Sequence, residues 1–303
     1  MQIAIVGAGG IGGFLAANLN PTRHGVQLVA RGGHLDAIRA RGLRFLRPDG
    51  TERVVDVPAT DDFAAVASAD LGFICVKTFQ LTEVVEALGG VARPGTLVVT
   101  TQNGVEAPSR VADALPAEIV VPGVVKVVAL IEESGAIRHV SGAGTVVVGD
   151  LDGQFGSADE VRGALADSAV HAEVRTGIVA ELWRKFLFVA PFGGLGAVTG
   201  ASIGELRSAP AWRGLLRQSM FEVESLAQAS KIGLDDDAVE QVTSFVDAQP
   251  HHATSSLQRD LAARRPSELD AWTGAIVRLG DQSGVPAPIN TVLHQLPVPQ
   301  QAQ

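Results

Sequence analysis

The stretch that decides the fold is QIAIVGAGGIGGFLAANLN, residues 2–20. QIAIVG is short, apolar and β-branched and ends on glycine, the pattern of a buried parallel strand. FLAANLN continues as a helix. Between them, Gly7, Ala8, Gly9, Gly10, Ile11 and Gly12 fit G-x-G-x-x-G. In that motif the first glycine makes a tight turn, the second lets backbone approach a pyrophosphate, and the third packs helix against strand. The phosphates then meet the free N–H groups at the positive end of the helix. These six residues are the expected dinucleotide cradle.

The next strand, GVQLVAR, ends at Arg31. An NAD enzyme commonly places an acidic residue at this point to hold the ribose 2′-hydroxyl. An arginine pairs instead with a 2′-phosphate and leaves no carboxylate there to repel it. The expected cofactor is therefore NADP(H) rather than NAD. A surface arginine at a strand end would read the same.

Further along, LGFICVK (71–77), TLVVTT (96–101) and IVVPGVVKVVALI (119–131) read as strands with helical stretches between them. AIRHVSGAGTVVVGDL reads as two short β-runs around a Gly-rich turn, a hairpin on the sheet edge. A helical pattern resumes from about Gln154 to Ser168. From about Arg175 the strands vanish and five helical stretches follow, punctuated by Gly233, Pro250, Pro266 and Gly284-Val285-Pro286. The expected fold is an α/β Rossmann-type doubly wound parallel sheet domain followed by an all-α C-terminal domain. The boundary is expected at 170/171: an NADP-binding domain over 1–170 and a helical substrate and dimerisation domain over 171–303, with the active site in the crevice between them.

Composition narrows the partners. The 303 residues are 46% hydrophobic and carry a net charge of −9, which argues against nucleic acid. No apolar run reaches the ~18 residues of a membrane helix, and the N-terminus lacks a basic secretory region, so a soluble cytoplasmic protein is expected. Cys75 is the sole cysteine; it reads as core filler, with no thiolate metal cluster possible. PVPQQAQ reads as a loose tail.

Polar groups recur at two strand ends: Lys77 after the third strand, and Gln102-Asn103-Gly104 after the fourth. Ordinary polar loops would look alike. Glu181-Leu182-Trp183-Arg184-Lys185 lies on a helix apolar on most faces, where Lys185 shares a stripe with Ile178, Leu182 and Val189. A lysine on a buried stripe is costly unless it is used; the alternative is that it snorkels and pairs with Glu181. Ser255-Ser256-Leu257-Gln258-Arg259-Asp260 begins a later helix, and Pro266-Ser267-Glu268-Leu269-Asp270 the next, where Ser267 and Asp270 resemble a capping box. Glu268 there also fits a plain first-turn acid.

Together these residues resemble the ketopantoate reductase (2-dehydropantoate 2-reductase) family over nearly the whole chain. The most specific parts are GAGGIGG, the QNG at 102–104, the LWRK ending at Lys185, and SSLQRD with the later Ser267-Glu268. The resemblance implies hydride transfer from NADPH to the keto carbon of a small 2-oxo acid. It implies Lys185 as general acid or carbonyl polariser, with Glu268 beside it supporting proton transfer. Ser256 and Asn103 would hold substrate, with Lys185 and Glu268 also touching it. Lys77 and Asn103 would lie near the cofactor, and a homodimer would form through the helical half. One departure stands out: the family's substrate-facing asparagines, four and eight residues after the lysine, are here Val189 and Gly193. That suggests an apolar, open wall. It leaves room for a different carbonyl or imine substrate, or for a catalytically silent NADP(H)-binding sensor. His251 and His252 are candidates for new polar contacts, or plain loop residues.

Overall fold

The computed structural model describes residues 1–19, 23–91, 93, 95–151, 153, 156–166 and 168–297. Residues 298–303, most of the expected tail, and Gln154 lie outside them. Two compact units result. One takes the described residues of Met1–Gln102 and Ala107–Ile178, the other those of Asn103–Glu106 and Val179–Gln303.

The first unit is a ten-stranded sheet. Its strands are β1 (Gln2–Val6), β2 (Gly25–Val29), β3 (Leu43–Leu46), β4 (Glu52–Val55) and β5 (Ala59–Thr60), then β6 (Leu71–Ile74), β7 (Leu97–Thr100), β8 (Val120–Glu133), β9 (Ala136–Val148) and β10 (His171–Val174). They lie in the order β4-β3-β9-β8-β7-β6-β1-β2-β5, with β10 against β9. Pairings from β8 through β5 are parallel. The chain builds outward from β1 through β2 to β5, then returns to the other side of β1 for β6, β7 and β8. That reversal beside β1 is the switch point at which such sheets take ligands.

Alternation along the strands buries both faces. Ile3, Ile5, Leu28, Phe73, Val99 and Val121 pack with α1 (Gly10–Asn18), α2 (Gly32–Arg41) and α5 (Ser157–Leu165). Ala4, Val6, Val29, Ile74, Val98 and Val120 pack with α3 (Leu81–Val91) and α4 (Ala107–Ala112). Helices on both faces make the sheet doubly wound, as expected.

The edge hairpin is a correction. Residues 136–148 form one strand, β9, antiparallel to β8 with the turn at Ser134-Gly135, and β9 lies inside the sheet. Gly142 and Gly144 bend that strand at positive φ instead of reversing the chain. Gly144 is glycine because the Phe14 ring fills its side: a Cβ there would lie 2.4 Å from Cζ. The β3–β4 hairpin and β10 are absent from the sequence reading, although Arg47-Pro48-Asp49-Gly50 between β3 and β4 carries a turn signal.

The second unit holds α6 (Ile178–Thr199), α7 (Ile203–Ser208), α8 (Pro210–Ala229), α9 (Ala238–Ala248), α10 (Ser256–Ala262), α11 (Ala275–Ser283) and α12 (Pro288–Gln295). A π turn, Asp270–Gly274, leads directly into α11. Trp183, Phe186, Leu206, Met220, Val239 and Trp272 build its own core. Among the described residues no helix is long and apolar enough to cross a membrane.

Candidate active site

At the switch point each glycine has its own reason. Gly7 turns the chain at φ +104° and donates to the Val29 carbonyl at 2.9 Å. A Cβ on Gly12 would lie 1.8 Å from the Gly7 oxygen, and one on Gly10 2.1 Å from the Ala129 oxygen, so α1 packs backbone to backbone. Gly9 differs: a Cβ there would meet nothing within 4 Å. Its bareness serves no packing of the chain itself, and the space before it suits a ligand. Ala8 is buried and Ile11 half-buried beside it. Among the described residues no side chain caps α1 and no acid occupies its first turn. Its N–H groups and positive end therefore suit a pyrophosphate.

The end of β2 departs from expectation. A carboxylate does stand beside Arg31. Glu83, in the first turn of α3, accepts from its Nη2 at 2.5 Å. The pair lowers the Glu83 carboxyl below its usual range and raises the Arg31 guanidinium. Phe63 lies under the guanidinium, 5.6 Å to the ring centroid. No local pattern links Arg31 to Glu83, which lies 52 positions away. Three residues on from Arg31, His34 accepts at Nδ1 from the Gly135 N–H (3.0 Å). Its ring also faces the Ala8 carbonyl, and burial holds it below the ordinary histidine value. His34 thus ties the start of α2 to the β8–β9 turn.

The ends of β6 and β7 are tied together. Gln102 Nε2 donates to the Ile74 and Val76 carbonyls (2.8 and 3.0 Å), and Thr101 Oγ1 donates to Ile74 (2.8 Å). The Lys77 N–H donates to Gln80 Oε1 at 3.3 Å, which fixes the start of that loop. Cys75 is part-buried and packs against the sheet core, where desolvation pushes its thiol up to about 12.

In the second unit the segments carrying four sequence candidates converge on the π turn. Lys185 sits half-buried on α6, on the stripe that buries Ile178 and Leu182. Glu181 takes Arg184 at 2.6 Å, and Arg184 also reaches Asp235 at 3.2 Å. Two turns past Lys185, Gly193 meets the π turn: its Cβ would lie 2.4 Å from Trp272 Cζ3 and 3.3 Å from Leu257 Cδ2. Leu257 follows Ser256 on α10. Ser255 caps that helix, accepting from the Gln258 N–H at 3.0 Å, while Ser256 is half-buried. Glu268 precedes the π turn and is only 5% exposed. Its carbonyl accepts from Trp272 N–H at 3.1 Å. Asn103 is half-buried, and the next residue, Gly104, approaches the Ala271 carbonyl: a Cβ there would lie 3.1 Å from it. Arg278 joins Glu106 (2.8 Å) to Asp270 (2.7 Å), clamping the Asn103–Glu106 segment to the same turn.

Two expectations change here. The Ser267–Asp270 capping box does not form, because Arg278 engages the Asp270 carboxylate and Ser267 Oγ accepts from Leu269 N–H at 3.4 Å. The wall at Gly193 is apolar but closed, filled by the Trp272 ring. His251 and His252 are both exposed turn residues, the plain-loop alternative, and the His251 ring packs where a Cβ on Gly204 would be. Arg278 and Trp272 escape the sequence reading. A signal for the first exists: Asp270 and Arg278 are eight apart, two turns along one helical face.

A doubly wound sheet with a bare glycine loop at its switch point, joined to a helical unit that buries a lysine-bearing stripe and a glutamate, defines a nicotinamide-dinucleotide oxidoreductase. The family model for ketopantoate reductase PanE/ApbA matches residues 3–153, and that for its C-terminal part matches 177–298. The chain is 30% identical to a 2-dehydropantoate 2-reductase of Mycobacterium tuberculosis, covering 96% of this chain and 95% of that one. It is 27% identical to one from Halobacterium salinarum, covering 98% and 97%. A PanE/ApbA family ketopantoate reductase from Ralstonia eutropha JMP134 superposes with a TM-score of 0.89 at 31% identity, over 100% of this chain and 99% of that one. The chain belongs to the ketopantoate reductase PanE/ApbA family.

Proposed function

We propose that this chain reduces the keto group of a small 2-oxo acid to the 2-hydroxy acid with NADPH, as a 2-dehydropantoate 2-reductase-like enzyme. Gly7, Ala8, Gly9, Gly10, Ile11 and Gly12 hold the pyrophosphate, Arg31 meets the 2′-phosphate, and Lys77 and Asn103 line the nicotinamide end. NADPH when bound supplies the hydride. As the carbonyl oxygen gains charge, the Lys185 ammonium stabilises it and donates the proton. Glu268 supports that transfer, and Ser256 and Asn103 orient the substrate.

The observation that carries this reading is the convergence on one π turn of the segments bearing Lys185, Ser256, Glu268 and Asn103, seen where Trp272 fills Gly193 and Gly104 meets Ala271. Local π geometry concentrates at functional sites. A bulkier apolar 2-oxo acid is a second reading, favoured by Val189 and the Trp272-filled Gly193 in place of two amides; a site without those amides gives up selectivity for a substrate hydroxyl. We also assign the enzyme to the cytoplasm and to a homodimer through the helical unit. Exposed Leu215 and Phe221 on α8, Phe245 on α9 and Val292 on α12 support the dimer. NADPH consumption across a panel of 2-oxo acids, from ketopantoate to aryl-substituted ones, tests the reading. Turnover of a 2-oxo acid is expected, and no turnover of any member with NADPH still bound would leave a silent binding protein. A monomer mass by light scattering would overturn the dimer.

A further inference from the structure

The end of β2 carries more negative charge than a phosphate reader needs. Arg31 is flanked by Glu83 at 2.5 Å, and Asp61, at the end of β5, pairs with Arg39 of α2 at 3.2 Å. Arg39 is further held by the Ala59 carbonyl at 3.0 Å. Two guanidinium groups and two carboxylates therefore share this corner, and their formal charges cancel. A 2′-phosphate entering it meets an arginine whose charge is already neutralised. The Arg31–Glu83 pair is solvent-facing, with side chains 54% and 58% exposed. Such pairs are weak and rearrange readily. The Phe63 ring lies under the same guanidinium, 5.6 Å to its centroid, a contact that does not depend on Glu83.

We propose that Glu83 sets the cofactor preference of this chain. Its carboxylate holds Arg31 in a neutral pair that a 2′-phosphate must displace, whereas a 2′-hydroxyl displaces nothing and finds in Glu83 an acceptor. Glu83 thereby performs, from the first turn of α3, the task that an acidic residue at the end of β2 performs in NAD enzymes. The preference for NADPH over NADH is then narrower than Arg31 alone would give. The proposal rests on the reading of Arg31 as the group that meets the 2′-phosphate.

The test is a fluorescence titration of the full chain with NADPH and with NADH, in wild type, Glu83→Gln, Arg31→Ala and the double variant, with folding checked by thermal melting. Both residues are exposed, so all four proteins should fold. Glu83→Gln should tighten NADPH by roughly twofold to fivefold, the scale of one exposed ion pair that the phosphate no longer has to displace. It should leave NADH unchanged or weaker. In the Arg31→Ala background the same substitution should no longer tighten NADPH, because the effect runs through Arg31. An unchanged preference in Glu83→Gln, with Arg31→Ala still weakening NADPH, overturns the role of Glu83 and leaves the reading of Arg31 intact. Tightening that persists without Arg31 also overturns it, since the effect would then be general charge repulsion. If Arg31→Ala leaves NADPH affinity untouched, the reading of Arg31 itself fails and the proposal falls with it.

Discussion

On the proposed function the glycine loop and the π turn each serve a ligand, and they are built by opposite means. At residues 7–12 the chain removes side chains until backbone lies on backbone, and what is offered to a ligand is N–H groups and open space. At residues 268–274 it does the reverse. A tryptophan 2% exposed is pressed onto a glycine, an arginine bridges two carboxylates, and in the proposed function side chains perform the chemistry. In the backbone site Gly10 and Gly12 tolerate no added atom, because backbone lies against them, while Gly9 has room for one. A side-chain site depends on its supports, and small changes in them alter rate or specificity before they alter the fold. The two regions should therefore fail differently.

The largest effect expected belongs to the side-chain site. If Lys185 protonates the nascent alkoxide, Lys185→Ala should lower kcat by on the order of 10²–10⁴, the usual scale for a positioned acid. NADPH affinity should change little. Glu268→Ala should also slow turnover, and the double variant should fall short of additivity if the two act as a unit. Steady-state rates beside NADPH titration separate the cases. A folded Lys185→Ala enzyme turning over near the wild-type rate would remove the mechanism and leave Lys185 as a stripe residue whose head reaches water.

The same contrast governs what the amino-acid sequence alone makes legible. The loop is legible because its pattern is local: strand, turn, bare backbone and helix follow within 20 residues, even though the atoms that would meet a Cβ at Gly7 and Gly10 belong to Cys75, Val76 and Ala129. The pattern of Lys185, Ser256 and Glu268 is legible through family resemblance, not through spacing. What escapes is relational. Glu83 reaches Arg31 across 52 positions and Arg278 reaches Glu106 across 172, and nothing in either local stretch encodes the partner. Gly193 misleads for a related cause. A missing side chain looks like open space in a sequence, whereas the fold supplies an indole from 79 positions away to fill it. Gly142 and Gly144 look like a turn because positive φ serves a bent strand as well as a reversal.

Two neighbouring glycines test the backbone site from within. Gly9 has φ −67°, which alanine adopts without strain, and its Cβ would meet nothing within 4 Å. Gly9→Ala should melt within ~0.5 kcal/mol of wild type or slightly above it. NADPH affinity should fall roughly a hundredfold, the loss of one or two hydrogen bonds to a phosphate. Gly12→Ala should instead lose stability. Its Cβ would sit 1.8 Å from the Gly7 oxygen, a backbone atom with no rotamer to change, so the cost should reach or exceed the ~1–3 kcal/mol of ordinary overpacking. Thermal melts and NADPH titrations on both proteins read the two effects apart. A Gly9→Ala protein that binds NADPH normally would mean that no ligand approaches there.

The smallest expected effect lies at the support of the side-chain site. Alanine is the better helix former by ~1 kcal/mol, so in an unobstructed helix Gly193→Ala would stabilise. Here its Cβ would lie 2.4 Å from Trp272 Cζ3 and 2.6 Å from Cε3, on an indole too buried to swing aside. Overpacking of ~1–3 kcal/mol should outweigh the helix gain, leaving a net loss between roughly zero and 2 kcal/mol. The displaced ring belongs to the turn that follows Glu268, so KM for the 2-oxo acid should rise while NADPH affinity stays constant. Trp272→Phe, which shortens the ring at the clash, should make the Gly193→Ala change less costly than it is beside tryptophan, a coupling that denaturant melts of the four proteins would measure. A Gly193→Ala protein more stable than wild type by the full helix propensity would show that the indole gives way freely, and the closed apolar wall would then be no constraint on what substrate enters.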